Sequence, residues 1–139
     1  MEALLKIRFS RCQLGLDRNM TLRFFLRVPK FPVICDIDGE LIVAASVNDF
    51  ERKIESIELK EDGHYTVIDS AVEGWSLSSE PLVVSPLTLK KNWTKMELLN
   101  LYNESRNCKR NGNSYPTSSL SNKKLSVIFR EITEALSSP

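Results

Sequence analysis

Asp36, Asp38 and Glu40 occupy alternate positions of the run Cys35-Asp36-Ile37-Asp38-Gly39-Glu40-Leu41, which follows the apolar residues Val33 and Ile34. Three carboxylates at alternate positions of a bent strand could converge on a hard cation, although the run lacks the spacing of a twelve-residue calcium loop. The same residues also have an explanation that needs no reaction. Asp38-Gly39 between two apolar segments is the two-residue signature of a type I′ hairpin, in which both central residues take positive φ. His64 is the single histidine, which removes most general-base and zinc-ligand schemes at once. It follows Gly63 at the start of a predicted strand, so turn chemistry accounts for it as well as a pairing with Cys35 or a serine nucleophile would. Gly74 has no glycine neighbours in a phosphate-loop pattern. We therefore assign no catalytic residue, no metal ligand and no cofactor.

Over seven residues, Cys35 to Leu41 resembles the first motif of the haloacid dehalogenase-like phosphatases, D-x-D-G-[TV]-L at a strand end. The resemblance implies Asp36 as nucleophile and Asp38 as general acid/base of a small hydrolase. Glu40 stands where that family has Thr or Val, and the surrounding pattern is antiparallel.

A second group of residues lies in the last third of the chain. Lys90, Lys91, Lys95, Arg106, Lys109, Arg110, Lys123 and Lys124 gather there, interleaved with Trp93, Tyr102 and Tyr115. Cations mixed with flat aromatic faces suit a phosphate backbone and its bases. The alternative is a solvated basic rim with its aromatics packed inward. Two helices flank this region, but the joint between them is about twenty residues, against roughly three or four in a helix-turn-helix. Trp75 and Trp93 are core anchors in one reading and partner-binding hot spots in the other.

The charge that surrounds these groups is segregated. The net charge is +1. Residues 1–32 hold seven Lys/Arg against two acids, residues 33–80 three against twelve, and residues 81–139 nine against four. Neighbouring strands of opposite charge can neutralise one another inside a fold, and the rival outcome is a basic binding face.

The elements that must position these residues follow from hydropathy patterning. Leu5 to Phe9 and Thr21 to Val28 alternate with period two and read as half-buried strands joined by Arg11 to Met20. Val33 to Ile37 and Glu40 to Ala45 form the hairpin. Ser46 caps an amphipathic helix carrying Phe50, Ile54 and Ile57, with Asp49 three residues after the cap. Tyr65 to Ser70, Gly74 to Ser78 and Leu82 to Leu89 read as further strands. Thr94 and Glu97 make a capping box that opens a helix over 95–104. Residues 105–120 are predicted as a mobile loop, and a terminal helix from Ser121 carries Leu125, Ile128, Ile132 and Leu136.

Grouped strands and helices indicate the α+β class: an antiparallel sheet of about six or seven strands, one intervening helix and two C-terminal helices, in a single domain over 1–139. A chain of 139 residues can sustain one core. Cys12, Cys35 and Cys108 are an odd count without a C-x-x-C pair, so they read as free thiols in a reducing compartment. Neither a secretory leader nor a stretch of the roughly 20 apolar residues of a membrane helix is evident, and a cytoplasmic location without a membrane partner is expected. The leading expectation for function is a non-catalytic interaction module that binds a protein partner. Nucleic-acid binding by the basic third and hydrolysis at Asp36 and Asp38 are the alternatives, and an open sheet edge would allow a homodimer.

Overall fold

The structure is a computed structural model that describes residues 22–87 and 92–137. The predicted strand at Leu5 to Phe9, the connection after it, and the candidate cations Lys90 and Lys91 lie outside the described residues.

Asp38-Gly39 forms the expected turn. Asp38 has φ 52 and Gly39 φ 93, the mirror-image geometry whose twist matches that of the flanking strands. It joins β2 (Val33–Ile37) to β3 (Glu40–Ala44) with Ile37 opposite Glu40 and Asp36 opposite Leu41. Around them stand β1 (Arg23–Phe24), β4 (His64–Ile68), β5 (Gly74–Ser79) and β6 (Leu82–Pro86). The six described strands form one sheet in the order β1-β6-β5-β4-β2-β3. All pairs are antiparallel except β1 with β6. The first described strand departs from its pattern: period two carries the expectation to Val28, but β1 ends at Phe24. Leu26 has φ 72 and the Arg27 N–H donates to the Phe25 carbonyl at 2.9 Å, so the chain bends out of the sheet.

Alternation across the pleat divides the interior into two layers. On one face Val33, Cys35, Val67, Trp75, Leu77 and Val84 enclose Phe50 and Ile54 from α1 (Val47–Glu55). On the other, Ile34, Leu41 and Ile68 meet Leu98 and Tyr102 from α2 (Lys95–Asn103) and Ile128, Phe129 and Ile132 from α5 (Leu125–Ser137). Each such side chain contributes about 1.5–3 kcal/mol when fully buried. Trp75 is at 0% exposure, a core anchor.

Both predicted caps are present. The Ser46 hydroxyl accepts from the Asp49 N–H at 3.2 Å, and Thr94 with Glu97 forms the reciprocal capping box. The structure corrects the expectation for 105–120. Inside that segment lies α3 (Arg106–Asn111), capped by Ser105 and closed by Gly112 at φ 76, and Ser105 and Cys108 are buried. A short turn of helix, α4 (Ser119–Asn122), precedes α5. The fold is α+β, with a mostly antiparallel sheet as the sequence indicates, and more of the C-terminal third is helical than the two expected helices. Among the described residues no helix is long and apolar enough to cross a membrane.

Candidate functional site

The acidic hairpin and the basic third, read separately in the sequence, meet in the structure. The Asp36 carboxylate accepts the Gly39 N–H at 2.8 Å, closing the turn. Asp38 is exposed at the tip, with Lys60 Nζ 3.5 Å from its carboxylate. Glu40 receives a two-pronged contact from Arg110, Nη1 to Oε1 at 2.8 Å and Nη2 to Oε2 at 2.6 Å. Those hydrogen bonds hold Glu40 below the usual carboxylate range against partial desolvation, and the positive charges of Arg110 and Arg106 add to the effect. The Arg106 N–H donates to the Gly39 carbonyl at 2.8 Å. Asn107 grips the backbone of Leu41 at both ends: its Oδ1 accepts the Leu41 N–H at 2.7 Å and its Nδ2 donates to the Leu41 carbonyl at 3.0 Å.

Each carboxylate of the run thus has a partner, Asp36 in the turn, Asp38 in Lys60 and Glu40 in α3. The pairing of Asp36 with Thr66 leaves His64 exposed at the start of β4, two residues from Thr66 toward the hairpin end. Among the described residues no three His, Cys, Asp or Glu side chains are grouped to hold a metal ion. The Cys35 thiol is buried, and desolvation pushes its pKa far up, which is the opposite of an activated nucleophile.

Among the described residues the basic side chains are engaged in different ways. Arg110 is committed to Glu40, and Lys123 bonds Glu131 at 2.7 Å while its ammonium lies 5.3 Å from the centre of the Tyr115 ring. Lys123 and the Tyr115 hydroxyl together hold Glu131 low. Lys109 and Lys124 are exposed, Arg106 is exposed beside the hairpin, and Lys95 is half-buried in the first turn of α2. The aromatics turn inward. Tyr102 is buried, and Trp93 and Tyr115 pack against the second layer. Beside β3 lies an open depression of about 380 Å³ between Lys53 of α1, Asn107 and Arg110 of α3, and Ala135 and Leu136 of α5.

The feature the sequence reading missed is apolar. Phe25, Leu26 and Val28 are 58%, 78% and 53% exposed, three of the four large apolar side chains standing out in the described surface. The bend that carries them is fixed at several points. The Phe25 N–H donates to the Val84 carbonyl at 2.9 Å. Arg27 pairs with both Glu73 oxygens, Nη1 to Oε1 at 3.0 Å, and its guanidinium lies 4.8 Å from the centre of the Trp75 ring. The Lys30 N–H donates at 3.1 Å to Asp69, a carboxylate at 1% exposure that also accepts from Ala71 N–H, Glu73 N–H and Trp75 Nε1. The sequence held one signal of this: Phe24-Phe25 breaks the strict apolar/polar alternation by placing an aromatic on the outward side.

No protein-family model matches the chain, and neither the curated proteins nor the solved structures contain a match to it.

Proposed function

We propose that this chain is a non-catalytic interaction module that binds a protein partner through the bend Phe25–Val28. The observation that carries the reading is the fixed display of three apolar side chains in four residues. Contiguous exposed apolar surface of this kind marks interaction sites. Anchoring by Arg27 and Asp69 reduces the ordering cost that a loose loop would bring to association. Leu26 in the left-handed region is backbone strain placed at the most exposed point of the bend, and strain of that kind concentrates at binding sites. The aromatics of the basic third favour a protein over a polynucleotide partner, because Tyr102 is buried and Trp93 and Tyr115 are partly buried against the second layer.

The test is affinity purification of the full chain from its native cells, in parallel with Leu26→Asp and Arg110→Ala variants. The expected result is a co-eluting protein that Leu26→Asp loses and Arg110→Ala retains. Retention by Leu26→Asp, or loss with Arg110→Ala alone, would move the site to another surface.

A further inference from the structure

The bend that displays Phe25, Leu26 and Val28 also carries charge. Between Leu22 and Pro32 stand Arg23, Arg27 and Lys30 and no acid. Two carboxylates reach this segment from the β4–β5 connection, and both are spent within the fold. Glu73 is taken by Arg27, and Asp69 is buried under its four donors. Arg23, two positions before Phe25, and Lys30, two positions after Val28, are exposed. Neither pairs with a carboxylate among the described residues. A cation without a counter-charge therefore stands at each end of the apolar stretch. The backbone of the bend is open as well. The Arg27 N–H bonds the Phe25 carbonyl across Leu26 at φ 72, a γ-turn, and the N–H groups of Leu26 and Val28 have no acceptor among the described residues. Sinking the bend into lipid would leave both without an acceptor, at a high cost. A peptide brings carbonyls of its own.

We propose that the partner at this bend is a peptide segment whose apolar side chains are flanked by Asp or Glu, a proposal that rests on the bend being the binding site. Phe25, Leu26 and Val28 supply the affinity. Arg23 and Lys30, at the rim, select acidic flanks and reject basic ones, because charge at the edge of an interface sets specificity and encounter more than binding strength.

The experiment selects a phage-displayed library of short random peptides on the full chain at low salt, then measures the enriched peptides by fluorescence anisotropy, with circular dichroism to confirm that each variant is folded. Enriched peptides are expected to carry acids beside apolar residues and to lose binding to Leu26→Asp. The double variant Arg23→Glu, Lys30→Glu should bind them at least fivefold more weakly, and exchanging the peptide's acids for Lys should restore its affinity. Neutral or basic peptides, or acidic ones that the double variant binds unchanged, overturn the proposal. If those peptides still need Leu26, the bend remains the binding site and only the partner's charge is wrong. Peptides indifferent to Leu26→Asp, or no enrichment at all, also overturn it, and the purification described above then decides the bend by itself. Vesicles of phosphatidylcholine and phosphatidylserine are the control for a lipid surface. Co-sedimentation with them that Leu26→Asp abolishes overturns the peptide in favour of a membrane. If the double variant is unfolded, Arg23→Gln with Lys30→Gln replaces it, and a loss of at least twofold is the expected result.

Discussion

A carboxylate survives in a protein interior only where donors replace the water it has lost. Asp69 has four: two backbone N–H groups on Oδ1, and the Lys30 N–H and the Trp75 indole on Oδ2. Replacing it by Ala leaves all of them buried or part-buried without a partner, and the expected loss in urea unfolding is about 3 kcal/mol or more. Asn, which keeps one acceptor, should cost less. A different outcome is expected at Leu26. Its side chain is 78% exposed and its φ is 72, so Leu26→Gly relieves a strain of about 1 kcal/mol that roughly offsets the chain entropy of glycine. Thermal melting should show no loss of stability while partner binding falls at least tenfold. Neither residue was legible beforehand. Asp69 falls inside the expected strand Tyr65 to Ser70 and nothing local singles it out, because its donors come from a strand, a turn and a segment 39 positions earlier. Leu26 sits in phase with Leu22 and Phe24, and only the bend takes it out of the sheet.

At the level of elements, local chemistry was the readable part. The Asp38-Gly39 turn, the Ser46 cap and the Thr94–Glu97 box each involve residues at most three apart, and each is present. Thr94→Ala should lower stability by about 1 kcal/mol in denaturant titration. Helix α3 was missed although Ser105 and Gly112 bracket it, because it is only six residues long and the contacts that dock it are distant: Asn107 reaches Leu41 across 66 positions and Arg110 reaches Glu40 across 70. An Asn-rich composition suggests a loop until the partners of its amides are known. The link between α3 and β3 also carries a pH dependence. Arg110 depresses the folded pKa of Glu40, so the stabilisation is fully present above the ordinary value of about 4.3 and is lost as pH falls through the depressed one. The expected result in an NMR titration is that Glu40 protonates below the ordinary range in wild type. In Arg110→Ala it should return toward that range, and the part of the acid destabilisation linked to Glu40 should disappear.

Over the whole molecule, the segregated charge is drawn together by pairs that join the blocks: Arg27 of the first to Glu73, and Arg110 of the last to Glu40, both in the acidic middle. Exposed pairs of this type contribute about 0–1 kcal/mol each and are screened by salt. An apolar contact at Phe25–Val28 is not. Raising the salt from about 0.05 to 0.5 M should therefore change partner affinity less than threefold, whereas binding through several phosphate contacts would fall by orders of magnitude. The sheet order has a further consequence for the nascent chain. Arg23 pairs with Val83, so β1 leaves the ribosome roughly sixty residues before its neighbour and cannot pair with it until β6 has emerged. Until then the bend has no strand to hold it, and Arg27 has no indole beneath it. In a Trp93→Phe background, a late kinetic phase in Trp75 fluorescence should mark that arrival, and Arg27→Ala should abolish it.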